Sequence, residues 1–376
     1  MKVLHIVDGL HPKRGGVPTA VLNVTTLFKK IGIEYKILSI GDNPEILPEN
    51  TIGFSSKQIA GQAYTSEAIQ WFKDNFETFD VFYFHSIWNI AVLQLYAFAL
   101  KNHLNYYISP HGSLDPFDIK KKYYFKKLLG KVIVNRILIN AKYIFCTSQI
   151  ETDVIHYFGK RVDNTAVLPL PVDYEDGISG DSTSFRSKYG IDENQFVFLF
   201  LSRINYKKGL DNFIIALAEL VNAGQIDSKA FSFIIAGDDN NEYATEMKAL
   251  LRTHNLENSA NFIGLITGQD KADAYVGADL FVLPSKNENF GLAIVEALQS
   301  GTPVLISKNV YIYKELFERE SLRPGWLCES DLSDLKSCIT DALKPYDKEK
   351  LKLESFTVGK QYKTVQLSNM YLKFFK

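Results

Sequence analysis

Apolar residues along this chain fall into short continuous runs, separated by stretches in which they recur every three or four positions. Six runs stand in the first half: KVLHIVD (2–8), YKILSI (35–40), DVFYFH (80–85), NYYISP (105–110), KYIFCTS (142–148) and TAVLPL (165–170). Runs of this length without alternation predict strands buried on both faces, as in a parallel sheet. Helical periodicity covers 18–30, 65–76, 89–101, 118–139 and 149–157. Across 171–184, PVDYEDGISGDSTS loses all periodicity and reads as a linker. The alternation then restarts, with strands expected at 195–202, 231–237, 260–265, 279–285 and 303–307 and helices at 209–222, 243–253 and 291–299. The last amphipathic stretch, 358–375, predicts one long helix.

Strands joined by crossover helices imply an α/β fold, and 376 residues are more than one core usually serves. The expectation is two doubly wound Rossmann-like domains facing across a cleft. The first is 1–170, the linker 171–184 and the second 185–357, with 358–376 a C-terminal helix to which a return to the first domain is open. Open parallel sheets bind ligands beyond the carboxyl ends of their strands, so the loops that follow strands are where chemistry is sought.

Composition narrows the classes. Lysine and arginine number 42 against 43 acids, which leaves no basic footprint for a nucleic-acid partner. Three cysteines without metal-ligand spacing suit a reducing cytoplasm. The opening MKVLHIVDGL is too short in its apolar run for a signal sequence and reads as a first buried strand. No run approaches the ~20 apolar residues of a spanning helix, so a cytoplasmic protein, free or peripheral on the membrane's cytoplasmic face, is expected.

Three post-strand loops carry candidate chemistry. DGLHPKRGGVPTA (8–20) offers Gly15 and Gly16 for close backbone approach, but lacks the spacing of a dinucleotide fingerprint. FLSRINYKKGLDNF (200–213) sets Arg203 and Lys208 five apart, a guanidinium fork and a movable ammonium suited to a diphosphate. PSKNENFGLAIVEALQS (284–300) places Glu288 before a helix and Glu296 inside it. Between them Phe290, Gly291 and Leu292 present backbone N–H groups where a helix start attracts anions. Ionised glutamates only accept hydrogen bonds, so sugar hydroxyls are suitable partners. Phosphate flanked by hydroxyls describes a nucleotide diphosphate sugar.

The order SRINYKKGLD, FIGL, ADLFVLPSKNENFGLAIVEALQSGTPVL resembles the group 1, or family 4, retaining glycosyltransferases of the GT-B fold. Their R-x(4)-K-G and E-x(7)-E hallmarks fall on Arg203, Lys208, Gly209, Glu288 and Glu296. The Gly-Gly loop and ISPHGSLDPF (108–117) resemble a subgroup of bacterial surface-polysaccharide assembly. Ser202 and Asn289 stand where many members have glycine, departures that bear on donor preference.

The resemblance implies that Arg203 and Lys208 neutralise the leaving diphosphate, that Glu296 holds the ribose and that Glu288 sits by the transferred sugar. His111 would reach the sugar near the reacting carbon, and Gly15 and Gly16 would line the donor or acceptor. It also implies a UDP- or GDP-sugar donor, a glycan or lipid-linked acceptor, front-face transfer and no metal or other cofactor. His85 ends a strand, and two readings stand: an acceptor contact or a satisfied core histidine. GDDNNE (237–242) reads as helix capping ahead of metal binding. KKKYYFKKLLGK (120–131) reads either as a solvated face or as a contact with anionic headgroups. A sugar-nucleotide epimerase and a catalytically silent nucleotide-sugar-binding subunit are the rival functions.

Overall fold

The computed structural model describes residues 1–11, 15–41, 47–59, 62–120, 123–155, 158–159, 161–174, 179–318 and 322–376. The chain divides into two compact units, Met1–Pro171 with Thr364–Lys376, and Val172–Lys363.

In the first unit the strands are β1 (Lys2–Val7), β2 (Glu34–Ser39), β3 (Thr51–Gly53), β4 (Lys57–Ile59), β5 (Gln62–Tyr64), β6 (Val81–Phe84), β7 (Tyr106–Ile108), β8 (Tyr143–Cys146) and β9 (Thr165–Val167). The helices are α1 (Gly16–Lys30), α2 (Ser66–Asn75), α3 (Ile90–Lys101), α4 (Pro116–Lys120), α5 (Tyr123–Leu129), α6 (Asn135–Asn140) and α7 (Gln149–Val154). Seven strands form one sheet in the order β3-β2-β1-β6-β7-β8-β9, and every pair in it is parallel. Leu4, Ile6, Phe82, Phe84, Ile108 and Ile144 pack on one face with Phe72, Leu95 and Ile137 from α2, α3 and α6. The register sets His5 beside Tyr83 and Tyr83 beside Tyr107 on the opposite face. There the rings meet Phe28 of α1 and Phe375 near the C-terminus. β4 and β5 form a separate antiparallel hairpin.

The second unit contains α8 (Ser182–Lys188), β10 (Phe196–Leu201), α9 (Leu210–Asn222), β11 (Phe231–Ala236), α10 (Glu242–Thr253), β12 (Ala260–Gly264) and α11 (Gly268–Gly277). It continues with β13 (Leu280–Leu283), α12 (Leu292–Gln299), β14 (Val304–Ser307), α13 (Tyr313–Phe317), β15 (Gly325–Cys328), α14 (Leu332–Ala342) and α15 (Lys348–Lys360). Its six parallel strands are ordered β12-β11-β10-β13-β14-β15.

Four expectations are corrected. The helix expected over 118–139 is α4, α5, a π-helical turn at Gly130–Val134 and α6. The single C-terminal helix is two, α15 and α16 (Thr364–Leu372), and α16 packs within the first unit, where Tyr371 Oη donates to the Pro169 carbonyl at 3.0 Å. The expected linker ends in structure, since α8 starts at Ser182 and Asp181 caps it. Strands β3, β4, β5 and β15 were not anticipated. Residues 156–157 of the expected helix, 175–178 of the linker, and Lys121 and Lys122 of the lysine cluster lie outside the described residues.

Candidate active site

In the second unit the strand order reverses between β10 and β13, because the chain builds β10, β11 and β12 to one side and then crosses to β13. The loops after β10 and β13 flank this switch point, the position where α/β sheets take ligands. Gly209 lets the two loops approach. Its φ is 74°, and a Cβ there would lie 2.0 Å from the Pro284 carbonyl oxygen. The Lys286 amide donates to the Lys207 carbonyl at 2.7 Å, Lys286 pairs with Asp211 at 2.6 Å, and Lys208 forms an ion pair with Glu288. Arg203 is exposed and makes no ion pair among the described residues. Glu288 is held through its backbone, which accepts from Tyr311 N–H and donates to the Asn309 carbonyl, both at 3.0 Å.

Gly291 caps α12 with φ 76°, a left-handed geometry that favours glycine. Leu292 is the first helical residue, and Phe290 is buried against Tyr362. Glu296 lies one turn further on and is 8% exposed. Its Oε2 accepts from Lys271 Nζ at 2.6 Å and from Tyr275 Oη at 2.9 Å. Oε1 has no hydrogen-bond partner among the described residues and is not sealed from solvent. One oxygen is therefore fixed by the protein while the other is open to a hydroxyl donor. Burial and the Glu296 carboxylate push the Tyr275 phenol well above its ordinary pKa, so it remains a donor.

The first unit has its own reversal between β1 and β6. A cavity of about 470 Å³ opens there, lined by Asp8, Gln62, His85, Trp88, Asn89 and His111 among others. Gly15 caps α1 with φ 95° and Gly16 starts it, so the glycine pair ends the loop that follows β1. The hairpin is stitched to the loop after β6. Gln62 Nε2 donates to the Trp88 carbonyl at 2.8 Å, Gln62 Oε1 accepts from Ile90 N–H at 2.9 Å, and Asn89 Nδ2 donates to the Ala63 carbonyl at 3.0 Å. His111 has φ 48°, uncommon for a side chain of this size. The strain is held from behind, where Gly112 N–H donates to buried Glu151 at 2.9 Å and Trp88 Nε1 donates to the Ser113 carbonyl at 2.9 Å. His111 Nε2 lies 3.0 Å from His85 Nδ1, and His85 Nε2 lies 2.9 Å from His5 Nδ1. Both His85 nitrogens are thus engaged inside the protein. Burial lowers the pKa of His111 to about 4 and of His5 to about 3, and holds His85 well below the ordinary range.

Residues 181–352 match the family described as glycosyl transferases group 1. These residues form a group 1 glycosyltransferase domain. The alpha-monoglucosyldiacylglycerol synthase of Streptococcus pneumoniae (strain ATCC BAA-255 / R6) is 28% identical over 48% of the chain and 41% of its own length. The alpha-galactosylglucosyldiacylglycerol synthase of the same strain is 25% identical over 70% of the chain and 67% of its own length. The crystal structure of Anabaena Alr3699/HepE in complex with UDP and glucose superposes with TM-score 0.78 at 19% identity, over 99% of this chain and 98% of that one. The likeness is one of fold, and that fold is the expected GT-B type.

Within the glycosyltransferase domain, Arg203, Lys208, Glu288, Gly291 and Glu296 all lie in the β10 and β13 loops or on α12. His85 and His111 share the first unit's cavity, whose lining ends the same kind of switch point. Sequence reasoning missed Lys271 and Tyr275, which hold Glu296, and His5, which backs His85. Lys271 and Tyr275 share a face of α11 at i, i+4, but only the fold brings that face to Glu296, and only the β1–β6 register sets His5 beside Tyr83. In GDDNNE the helix cap is Asn241, which accepts from Ala244 N–H at 3.0 Å, while Asp239 pairs with Lys248 at 2.5 Å. Among the described residues no three His, Cys, Asp or Glu side chains are grouped to hold a metal ion.

Proposed function

We propose that the protein is a retaining glycosyltransferase that moves a hexose-type sugar from a UDP- or GDP-sugar to a hydroxyl of a glycan or lipid-linked glycan. The observation that carries this reading is the pairing at the second unit's switch point. Lys208 pairs with Glu288 just ahead of α12, Arg203 stands exposed in the same β10 loop as Lys208, and Glu296 keeps one oxygen open. Cations and helix N–H groups suit a diphosphate, and the open carboxylate oxygen suits a ribose hydroxyl.

Lys208 and Glu288 neutralise each other in the unliganded protein. A diphosphate would draw Lys208 away, leaving Glu288 to accept from the transferred sugar. Arg203, Lys208 and the helix start then stabilise charge as it builds on the leaving oxygen. Donor chemistry of this kind needs no metal, since the cations are side chains. His111 in the first unit supplies a neutral imidazole to a sugar hydroxyl, and attack from the face of the departing phosphate retains configuration.

A lipid-linked acceptor agrees with two relatives named as glycosyldiacylglycerol synthases and with the outer face of α5 and the π-helical turn that follows it. Tyr124, Leu128 and Val132 are 86%, 68% and 66% exposed at intervals of four, with Lys127 and Lys131 beside them. Apolar side chains flanked by lysines suit an anionic interface. Lys126 is turned inward, donating to the Asp118 carbonyl at 2.8 Å with its ammonium 5.0 Å from the Trp88 ring. Among the described residues no helix is long and apolar enough to cross a membrane, so contact would be peripheral.

A thermal-shift panel of UDP, GDP, ADP and their sugars tests the donor reading. At 100 times its Kd a true ligand adds about 2.7 kcal/mol of stability, and Lys208→Gln should shrink that gain. A panel in which no nucleotide diphosphate stabilises the protein would overturn the proposal.

A further inference from the structure

The three histidines of the first unit form a continuous hydrogen-bonded file. His5 sits inside β1, His85 follows β6 and His111 follows β7, and successive rings are nearly parallel, at 13° and 21°. At two links, 2.9 Å and 3.0 Å, each shared proton belongs to one nitrogen of the pair. Because burial keeps all three rings neutral near pH 7, each carries a single proton. Fixing the proton at either end therefore fixes it at every position along the file.

The inner end is blind. His5 Nε2 is buried with no hydrogen-bond partner, and the rings of Phe28, Tyr35 and Tyr83 surround His5 at centroid distances of 5.0, 6.1 and 5.3 Å. No hydrogen-bond donor reaches a lone pair on Nε2, whereas an N–H can use a neighbouring aromatic ring as a weak acceptor, which favours the proton on Nε2. The outer end is open. His111 lines the cavity, and its Nδ1 is the one ring nitrogen in the file that is neither bonded along it nor buried.

The geometry points to His5 and His85 as positioning residues that hold His111 in one tautomer, with Nε2 protonated and Nδ1 bare toward the cavity. His5 keeps its proton on Nε2 and accepts from His85 Nε2–H, and His85 accepts from His111 Nε2–H. His111 then meets a ligand as an acceptor, matched to a hydroxyl that donates. This rests on the proposed sugar-handling role of His111 for its functional meaning, but the tautomer stands apart from it. Among the described residues, charged groups close to His111 include Asp8 after β1, in the same cavity, Glu151 on α7, which engages the next residue's N–H, and buried Asp115 four residues on.

The test is ring-¹⁵N spectroscopy of histidine-labelled full-length protein, assigned with His111→Gln and His5→Gln. In the wild type His111 should show a pyridine-type Nδ1 and a pyrrole-type Nε2, unchanged between pH 8 and 5.5. His85→Phe, which keeps ring volume but cannot accept, should average the two His111 signals through tautomer exchange. His85→Asn should preserve the wild-type pattern, because Oδ1 accepts where His85 Nδ1 did. A pyrrole-type Nδ1 on wild-type His111, or a His85→Phe spectrum identical to wild type, overturns the proposal. The spectra need no donor or acceptor, so this failure is distinguishable from a failure of sugar transfer. In a working transfer assay, His85→Phe should lower kcat and leave nucleotide affinity unchanged.

Discussion

Glu296→Ala removes a carboxylate with two separate duties. Towards the protein, Oε2 holds Lys271 and Tyr275. Without it the buried Tyr275 hydroxyl is unsatisfied, at a cost of about 1–3 kcal/mol, while Lys271, with 22% of its side chain exposed, can turn to water. For a unit of this size ~2 kcal/mol lowers Tm by about 4–8 °C. Towards a ligand, the open Oε1 accepts hydroxyl hydrogen bonds, and bonds to a charged acceptor contribute about 1.5–3 kcal/mol. Nucleotide diphosphate affinity should then fall about 10- to 150-fold. Glu296→Gln separates the duties, because the amide still accepts from Tyr275 but offers no charge to the ribose. Its Tm should recover most of the loss while its affinity recovers only part. Calorimetry with UDP and GDP, run well below each variant's Tm, reads the result. If Glu296→Ala lowers Tm but leaves nucleotide affinity unchanged, Glu296 is a strut for α11 and the ribose assignment is wrong.

Acidification should weaken the first unit. The folded pKa values of His5, His85 and His111 lie below the ordinary 6.5, so the unfolded chain takes up protons first and stability falls as pH drops from about 7 towards 4. At pH 5.5 each histidine contributes a loss on the order of 1 kcal/mol. Urea melts at pH 8 and 5.5 should show it, and His5→Leu should remove about a third of it. On anionic vesicles, replacing Lys120, Lys127 and Lys131 by Gln should reduce partitioning by about 1 kcal/mol for each lysine at the surface, more at low salt. Leu128→Ser with Val132→Ser should reduce it independently of salt, and unchanged partitioning in both would leave α5 a solvated face. Transfer should survive EDTA; loss restored by Mn²⁺ or Mg²⁺ would return GDDNNE to the site.

The central strands were legible because a parallel sheet covered on both faces needs uninterrupted apolar runs, and KVLHIVD, FVFLFL and LFVL supply them. β3, β4 and β5 were not, being three residues each, with every position but Ala63 exposed or half-exposed and little hydrophobic signal. The 118–139 periodicity hid its interruption. Gly130 carries no side chain because a Cβ there would meet the Phe158 ring at 2.1 Å, a tertiary contact with no local signature. The break between α15 and α16 at 361–363 is preceded by Gly359, but that glycine answers to the close approach of Gln299, where a Cβ would lie 2.6 Å from its backbone nitrogen. In the site, Arg203, Lys208, Glu288 and Glu296 could be found because they follow strands at recognisable spacing. Lys271 could not, because α11 is a helix of mixed polarity whose contact with Glu296 exists only after β13 brings α12 alongside. His5 was hidden for a related reason: inside a strand it looks like core, and only the β1–β6 register brings it to His85.

In the proposed reaction a sugar leaves a nucleotide diphosphate bound in the second unit and joins a hydroxyl with its configuration kept. The most direct measurement follows C1 of UDP- and GDP-hexoses labelled with ¹³C, incubated with the protein and alkyl glycosides or lipid-linked glycans. The label is expected to move from the C1–phosphate bond into a glycosidic bond, with the anomeric C–H coupling of the donor's configuration. The transfer should be lost in Arg203→Ala with Lys208→Ala. Label that stays on the nucleotide while another ring carbon inverts would identify an epimerase, and a glycoside of inverted configuration would contradict retention.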